Sequence, residues 1–249
     1  MAAELGCSAM TIRRDLDALA ELGAVKRVRG GAVSMLTGEE TPYAARTHLA
    51  AAGKRAIAEI ATSMIEEGET VIVDSGTTAF EVALRLVGHR GTVMPLSMHA
   101  AVALGQGPHL KLIMPGGEVR HGEQTLIGPL AEHAFTQLRF DTMVLSCCGL
   151  DPRHGLTAHD LTDASVKRAA AAASRRVIAV ADATKLGKVA FARICPLGQV
   201  SLLVTDAPAD DPAVVELTTA GLTVRSAGQK HPEPEKRPEP EERPEPEDA

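Results

Sequence analysis

Three groups of residues in this 249-residue chain have types and spacings suited to holding anions. The first is Ser8 with Thr11-Ile12-Arg13-Arg14, followed by Lys26-Arg27-Val28-Arg29-Gly30-Gly31. A helix capped by Ser8, with Thr11, Arg13 and Arg14 in its first turns, offers donors to phosphates or base edges. Ile12, Leu16 and Leu19 recur at helical spacing and bury the opposite face. The basic segment beyond reads as a short β-hairpin, a wing that lays Lys26, Arg27 and Arg29 on a nucleic-acid backbone and turns at its glycines. The second group is Asp74-Ser75-Gly76-Thr77-Thr78, after an apolar strand and before a helix. Backbone N–H groups there approach an anion closely and the helix N-terminus favours negative charge, which suits a phosphate; the same residues also simply start a helix well. The third group is Lys167 and Lys185, which can pair with phosphate, with Asp151 and Asp182 to accept from hydroxyls or orient the lysines. The alternatives are a solvated helical lysine at 167 and a structural Asp182–Lys185 pair.

Composition narrows the chemistry. Aromatic residues make up 2% of the chain and Trp is absent, so stacking platforms for RNA or single strands are nearly excluded and duplex DNA is the expected nucleic-acid partner. The net charge of −6 is unevenly spread. Residues 229–249 hold eight acidic and four basic side chains, while residues 1–35 hold five basic and four acidic. The DNA module is thus a local basic patch, and its electrostatic contribution to affinity is modest. Cys7, Cys147, Cys148 and Cys195 form no CxxC or Cys/His ligand spacing. No metal or other cofactor is expected, and Cys147 and Cys148 read as reduced core residues. No apolar run approaches the roughly 18 residues of a membrane helix, and the N-terminus lacks a signal peptide's order, so the expected location is the cytoplasm, away from membranes.

The elements that must position these residues follow from periodicity. Residues 1–35 form the partial winged helix, 36–53 a linker, 54–227 a larger domain and 228–249 a Pro/Glu-rich tail expected to be disordered. From Lys54 to Ile65 apolar residues recur at helical spacing, and Gly68 ends that helix. Strands are expected at Thr70–Asp74, Thr92–Leu96, Leu110–Met114, Thr142–Cys147, Val177–Ala181, Leu202–Thr205 and Thr223–Arg225. Helices near 78–87, 98–105, 126–138, 162–174 and 211–220 separate them. That alternation predicts an α/β domain with a largely parallel sheet, whose ligands collect at the carboxyl ends of the strands.

The helix cap, arginine pair and glycine-turned wing, in that order, resemble the winged helix-turn-helix of the DeoR family of bacterial transcriptional regulators. Further segments match the same family: Asp74–Thr78, Gly116-Gly117, Gly149-Leu150-Asp151, Asp163–Lys167 and Asp182–Gly187. The resemblance implies a sensor domain similar to ribose-5-phosphate isomerase, with the 74–78 loop on the phosphate of a sugar. It implies a homo-oligomeric repressor of carbohydrate genes rather than an enzyme. Pro95-Leu96 stands where the family typically shows Thr-Asn, which removes two hydrogen-bonding side chains. Little more than one helical turn precedes Gly6, so the DNA-binding module is expected to be incomplete, by a misplaced start codon or a truncation. Two other functions stay open from the residues: a sugar-phosphate isomerase, for which Asp151 is a carboxylate without a second beside it, and a sensor without its own DNA binding.

In a form of the chain extended upstream of Met1, Arg13→Ala and Arg14→Ala should each weaken duplex binding in a gel-shift titration, by about 1–3 kcal/mol where a base contact is lost. Unchanged affinity in both variants would remove this helix from the DNA interface.

Overall fold

The computed structural model describes residues 8–21, 25–28, 31–34 and 40–227. Arg29, Gly30 and the tail from 228 onward lie outside the described residues. Helix α1 spans Ala9–Glu21, and the hydroxyl of Ser8 caps it, accepting from the Thr11 N–H at 3.0 Å. Thr11, Arg13 and Arg14 are exposed, while Ile12 and Leu16 are half-buried. Strands β1 (Val25–Val28) and β2 (Gly31–Ser34) pair antiparallel, with Val28 opposite Gly31. The hairpin expected of a wing is present, and Lys26 and Arg27 belong to its first strand.

The larger part of the chain begins with two helices, α2 (Tyr43–His48) and α3 (Ala51–Ser63). Strand β3 (Thr70–Val73), α4 (Thr77–Leu86), β4 (Gly91–Pro95), α5 (Met98–Leu104) and β5 (Leu110–Leu112) follow. After the hairpin of β6 (Glu118–Arg120) and β7 (Thr125–Ile127) come α6 (Pro129–Gln137) and β8 (Phe140–Leu145). A second hairpin, β9 (Gly149–Asp151) and β10 (Gly155–Ala158), leads to α7 (Leu161–Ala172) and β11 (Ser174–Val180). Strands β12 (Ala192–Cys195) and β13 (Leu202–Thr205), helix α8 (Pro212–Thr219) and β14 (Val224–Ser226) close the chain.

Seven strands form one parallel sheet in the order β14-β13-β11-β8-β3-β4-β5. Side chains alternate across it, as the two-residue period of a strand requires. Ile72, Met143, Leu145, Ala179 and Leu203 join one core with residues of α6, α7 and α8. Val71, Val73, Val144, Ile178 and Val204 join the other, with α3, α4 and α5. Both faces are covered, which explains the continuous apolar runs of β3, β8 and β11. At the amino end Arg176 donates to Glu69 at 2.7 Å and to the Thr142 hydroxyl at 2.6 Å, tying β8 and β11 to the turn before β3.

From β3 the chain winds outward through β4 and β5, then returns to lay β8 on the other side of β3 and winds the opposite way. Connections leave the carboxyl ends of β3 and β8 in opposite directions, and a crevice opens between them. The expected strands and helices of the parallel sheet are all found, within a few residues. Five short strands were not expected: β6, β7, β9, β10 and β12, each of three or four residues. Leu126 and Ile127, expected to begin a helix, lie in β7. Gly128 at φ +92° interrupts the chain there, and Pro129 opens α6 in its first turn. The segment read as polar linker carries α2.

Gly149 shows how tightly the small sheet of β9, β10 and β12 meets the main one. A Cβ there would lie 2.4 Å from the carbonyl oxygen of Lys188. Gly187 N–H donates to Leu150 O at 2.8 Å, so the loop after β11 is seated on β9. Gly149→Ala should therefore destabilise the protein by about 1–3 kcal/mol and lower Tm by about 2–4 °C per kcal/mol. An unchanged thermal melt would show that this loop yields freely.

Candidate functional site

The crevice between β3 and β8 opens into a cavity of about 470 Å³. Gly76, Thr77 and Thr78 line it from the end of β3, Ser146 and Cys147 from the end of β8, and Asp182, Thr184, Lys185 and Lys188 from the loop after β11. Arg46, Leu49, Ala50 and Lys54 roof it from α2 and α3. Gly76 has φ +88° and ψ 165°, a region essentially reserved for glycine, and a Cβ on it would meet the Ser146 hydroxyl oxygen at 3.1 Å. Backbone at this point comes closer to the cavity than any side-chain-bearing residue allows. The first intrahelical bond of α4 runs from Phe80 N–H to Gly76 O at 3.0 Å. The N–H groups of Thr77, Thr78 and Ala79 precede it, and no side chain caps them. Thr77 and Thr78 line the cavity, so donors without a partner among the described residues and the positive end of the helix dipole face it.

Five of the expected effector residues, Gly76, Thr77, Thr78, Asp182 and Lys185, line this one cavity. Asp182 is buried and accepts from the Thr184 N–H at 3.0 Å and from the Thr184 hydroxyl, which opens the turn carrying Lys185. Among the described residues Lys185 makes no ion pair, so the structural Asp182–Lys185 pair weighed from the sequence is not what the structure has. Ser75 and Gly76 border a small recess behind the cavity, beside Lys167.

Three residues sit differently from the expectation. Asp74 is fully buried beneath the loop, where its Oδ2 accepts from the Ser146 N–H and hydroxyl, each at 2.9 Å, so it shapes the loop and is out of reach of a ligand in the cavity. Lys167 is neither solvated nor a free cation, because its Nζ lies 3.0 Å from Asp163 and 3.2 Å from Asp74 with 5% of the side chain exposed. Asp151 is outside the cavity altogether. The β9–β10 hairpin carries it to a separate surface depression, where its Oδ1 accepts from the N–H groups of Arg153 and His154, both at 2.9 Å. Cys147 and Cys148 are free thiols packed against the core, as expected, and they also border the cavity or its recess; burial raises both thiols. Pro95 and Leu96 are buried and neither lines the cavity, Leu96 lying within the core packed by α6 and α7.

The roof supplies cations that sequence reasoning missed. Lys54 is 3% exposed and donates from Nζ to the carbonyl of Arg46. Burial lowers its pKa, with Asp182 opposing that fall. One signal was available: Lys54 falls on the same stripe as Ile57, Ala58 and Ala61, a charge at the head of an apolar face. Arg46 bonds Glu123, and also lies 3.7 Å from Glu40. Burial disfavours its charge, but Glu123 and then Glu40 outweigh that and keep the guanidinium protonated. Lys188, exposed, completes the ring. Nothing in the local pattern around residues 46 and 188 marks them, since they reach the cavity only through the tertiary fold.

Comparison with known proteins gives a consistent result. Residues 1–37 match the DeoR-like helix-turn-helix domain, and residues 49–207 match the DeoR C terminal sensor domain. The HTH-type transcriptional regulator GlpR of Haloferax volcanii is 35% identical over 88% of this chain and 87% of its own length. The glycerol-3-phosphate regulon repressor of Haemophilus influenzae is 33% identical over 82% of this chain and 80% of its own. Among solved structures, ribose 5-phosphate isomerase A of Methanocaldococcus jannaschii aligns over 53% of this chain and 52% of its own. The TM-score is 0.40 and the identity 12%, a likeness too distant to carry a ligand or an activity across.

Beneath the site, two carboxylates share one ammonium. Burial disfavours the Lys167 charge, but Asp163 and Asp74 outweigh it and raise its pKa. Burial pushes the Asp163 carboxyl up to about 6, with Lys167 opposing and Asp74 adding. An acid whose folded pKa stands above its unfolded value of about 4 binds its proton more tightly in the native state. Its contribution is complete below about pH 4 and is lost as pH rises through about 6. Asp163→Asn should flatten the stability profile between those two values in urea titrations. Lys167→Met should cost about 3–5 kcal/mol near pH 8, because two carboxylates are left unpaired, and should recover on acidification. Loss of the same size at every pH would refute the charge-sharing account.

Proposed function

This chain belongs to the DeoR family of transcriptional regulators, and from that premise we propose that it represses carbohydrate genes until a phosphorylated sugar or polyol fills the 470 Å³ cavity. One observation supports the ligand class above the others: the uncapped N-terminus of α4 and the unpaired Lys185 converge on one space. A phosphate carries close to two charges, so it needs backbone donors and at least one cation to replace its hydration. Thr77, Thr78 and Ala79 supply the donors; Lys185, with Lys54 and Lys188, supplies the charge. Hydroxyls of the ligand find Asp182 and Thr184 on the opposite wall.

On the DNA side, Ser8, Thr11, Arg13 and Arg14 of α1 face a major groove, and the strand with Lys26 and Arg27 follows the backbone. Two or more copies of the chain grip a symmetric operator. Ligand relieves repression by preferring the arrangement that fits DNA poorly, since equal affinity for both arrangements shifts nothing. The glycerol-3-phosphate repressor of Haemophilus influenzae, whose name carries a phosphorylated polyol, supports this class. An isomerase reading loses its support once Asp151, its one suggested base, is 2.9 Å from its own turn's N–H groups and away from the cavity.

Titration calorimetry tests the proposal with a panel of sugar phosphates, glycerol 3-phosphate and the corresponding free sugars. At least one phosphorylated ligand should bind in the micromolar range. Lys185→Ala should weaken it at least about tenfold, near 1.4 kcal/mol, while leaving the free sugar within about twofold. Binding no tighter than millimolar across the panel, or a Lys185→Ala protein that binds as the parent does, sinks the assignment. Gly76→Ala is a poor test, because φ +88° strains any side-chain-bearing residue whether or not ligand binds.

A further inference from the structure

The short helix α2 has no buried residue, is opened by Pro42 and has no side-chain cap. Six residues make fewer than two turns, too few to stand without tertiary support. What holds it is polar. Arg46 reaches Glu123 and Glu40. The ring of Tyr43 stacks on His99 at a centroid distance of 4.1 Å and an angle of 11°. Lys54 donates to the Arg46 carbonyl. Two of these three attachments run through Arg46, and Arg46 also lines the cavity.

Glu40 stands six positions beyond the last residue of the wing strand β2, so the chain runs from the wing through Glu40 into α2. Its carboxylate is shared by Arg46 and Arg120, and Arg120 lies 3.5 Å from Asp160. At the other end of α2, Ala50 joins α2 to α3 in the left-handed region, at φ 51° and ψ 32°, and it too lines the cavity. A residue other than glycine held there stores strain and marks a place where the chain has a lower-energy alternative. Finally, Nε of Arg46 is buried and has no acceptor among the described residues. The Nη2 of the same residue is held by Glu123 and Glu40 while the residue lines the cavity, so an anion there competes with both carboxylates for the guanidinium. That competition is the differential contact which a ligand-driven shift requires.

Taking the anion site proposed above as its basis, we propose that Arg46 is the relay between that site and the DNA-binding module. An anion in the cavity draws the guanidinium away from Glu40, its more distant partner, and α2 turns about Ala50. Glu40, left to Arg120, then carries the incoming chain to a new position. The Glu40–Arg46–Glu123 contacts hold α2 in place.

Hydrogen exchange on the full chain tests this, with inorganic phosphate as the anion and calorimetry run in parallel. Saturating phosphate should change exchange across residues 40–50 of the parent at least about fivefold, leaving β11 unchanged. Arg46→Gln should bind phosphate more weakly, through α4 and Lys185, and at saturation should lose that response, and Arg46→Lys should restore part of it. Glu40→Gln, with no phosphate added, should shift the 40–50 segment toward the phosphate-bound pattern, because it removes the Arg46 partner that phosphate also removes. An Arg46→Gln protein that responds as the parent does, or a Glu40→Gln protein indistinguishable from the parent without phosphate, overturns the relay. Phosphate binding that depends on Lys185 but leaves 40–50 unmoved defeats the relay alone. No phosphate binding by the parent defeats both the relay and the site beneath it.

Discussion

The site depends on one buried carboxylate. Asp74 stands where the first strand of the sheet ends, and it holds Ser146 at the end of the neighbouring strand by two hydrogen bonds. It also shares the ammonium of Lys167 with Asp163, which anchors α7 beneath the crevice. A parallel sheet leaves its strand ends free to splay, and a charge with no access to water must find partners at any distance it can reach. Asp74 finds them on both sides of the topological switch. The consequence is a loop whose backbone is presented to the cavity in one geometry, with the side chains that fix it kept below the surface.

That arrangement separates two duties that the linear sequence runs together. Asp74, Ser75 and Lys167 hold the floor, while Gly76, Thr77, Thr78 and Lys185 face the space above it. Read as residue types after a strand, all seven look like ligands. Burial divides them, and burial depends on which residues the sheet order brings alongside. In the same way the electropositive roof comes from α2 and α3, which precede the sheet in the chain and fold back over its carboxyl edge.

Much of the fold was legible in the sequence because its signals are local. Apolar runs such as Val71–Val73 and Val177–Ala181, spaced by amphipathic helices, leave few arrangements other than a covered parallel sheet. The loop at 74–78 was legible as a strand-to-helix turn, because a glycine among hydroxyl residues after an apolar strand both turns the chain and starts a helix. The hairpins at 118–127 and 149–158 were not, since strands of three or four residues are too short to show a period. Asp151 illustrates the cost. Its position after a strand placed it near the ligand, but the three residues that follow turn it into a hairpin on another surface. Arg46 was hidden because residues 36–46 look polar and unpatterned, and only its contacts with Glu40 and Glu123, the latter 77 positions away, give it a place.

The cradle at Gly76 is made of backbone, and backbone does not change when side chains mutate. In the function proposed above, positive φ at that glycine and the uncapped first turn of α4 are what would meet a charged tetrahedral group, whatever carbon skeleton is attached to it. Drift in ligand preference is therefore channelled elsewhere, to the walls: Thr184, Lys185 and Lys188 on a surface loop, and Thr41 and Leu49 around α2. These positions carry ordinary conformations that accept substitution without refolding the sheet. A protein built this way can keep its grip on the anion through a long history of sequence change while the molecule it answers to is exchanged for another.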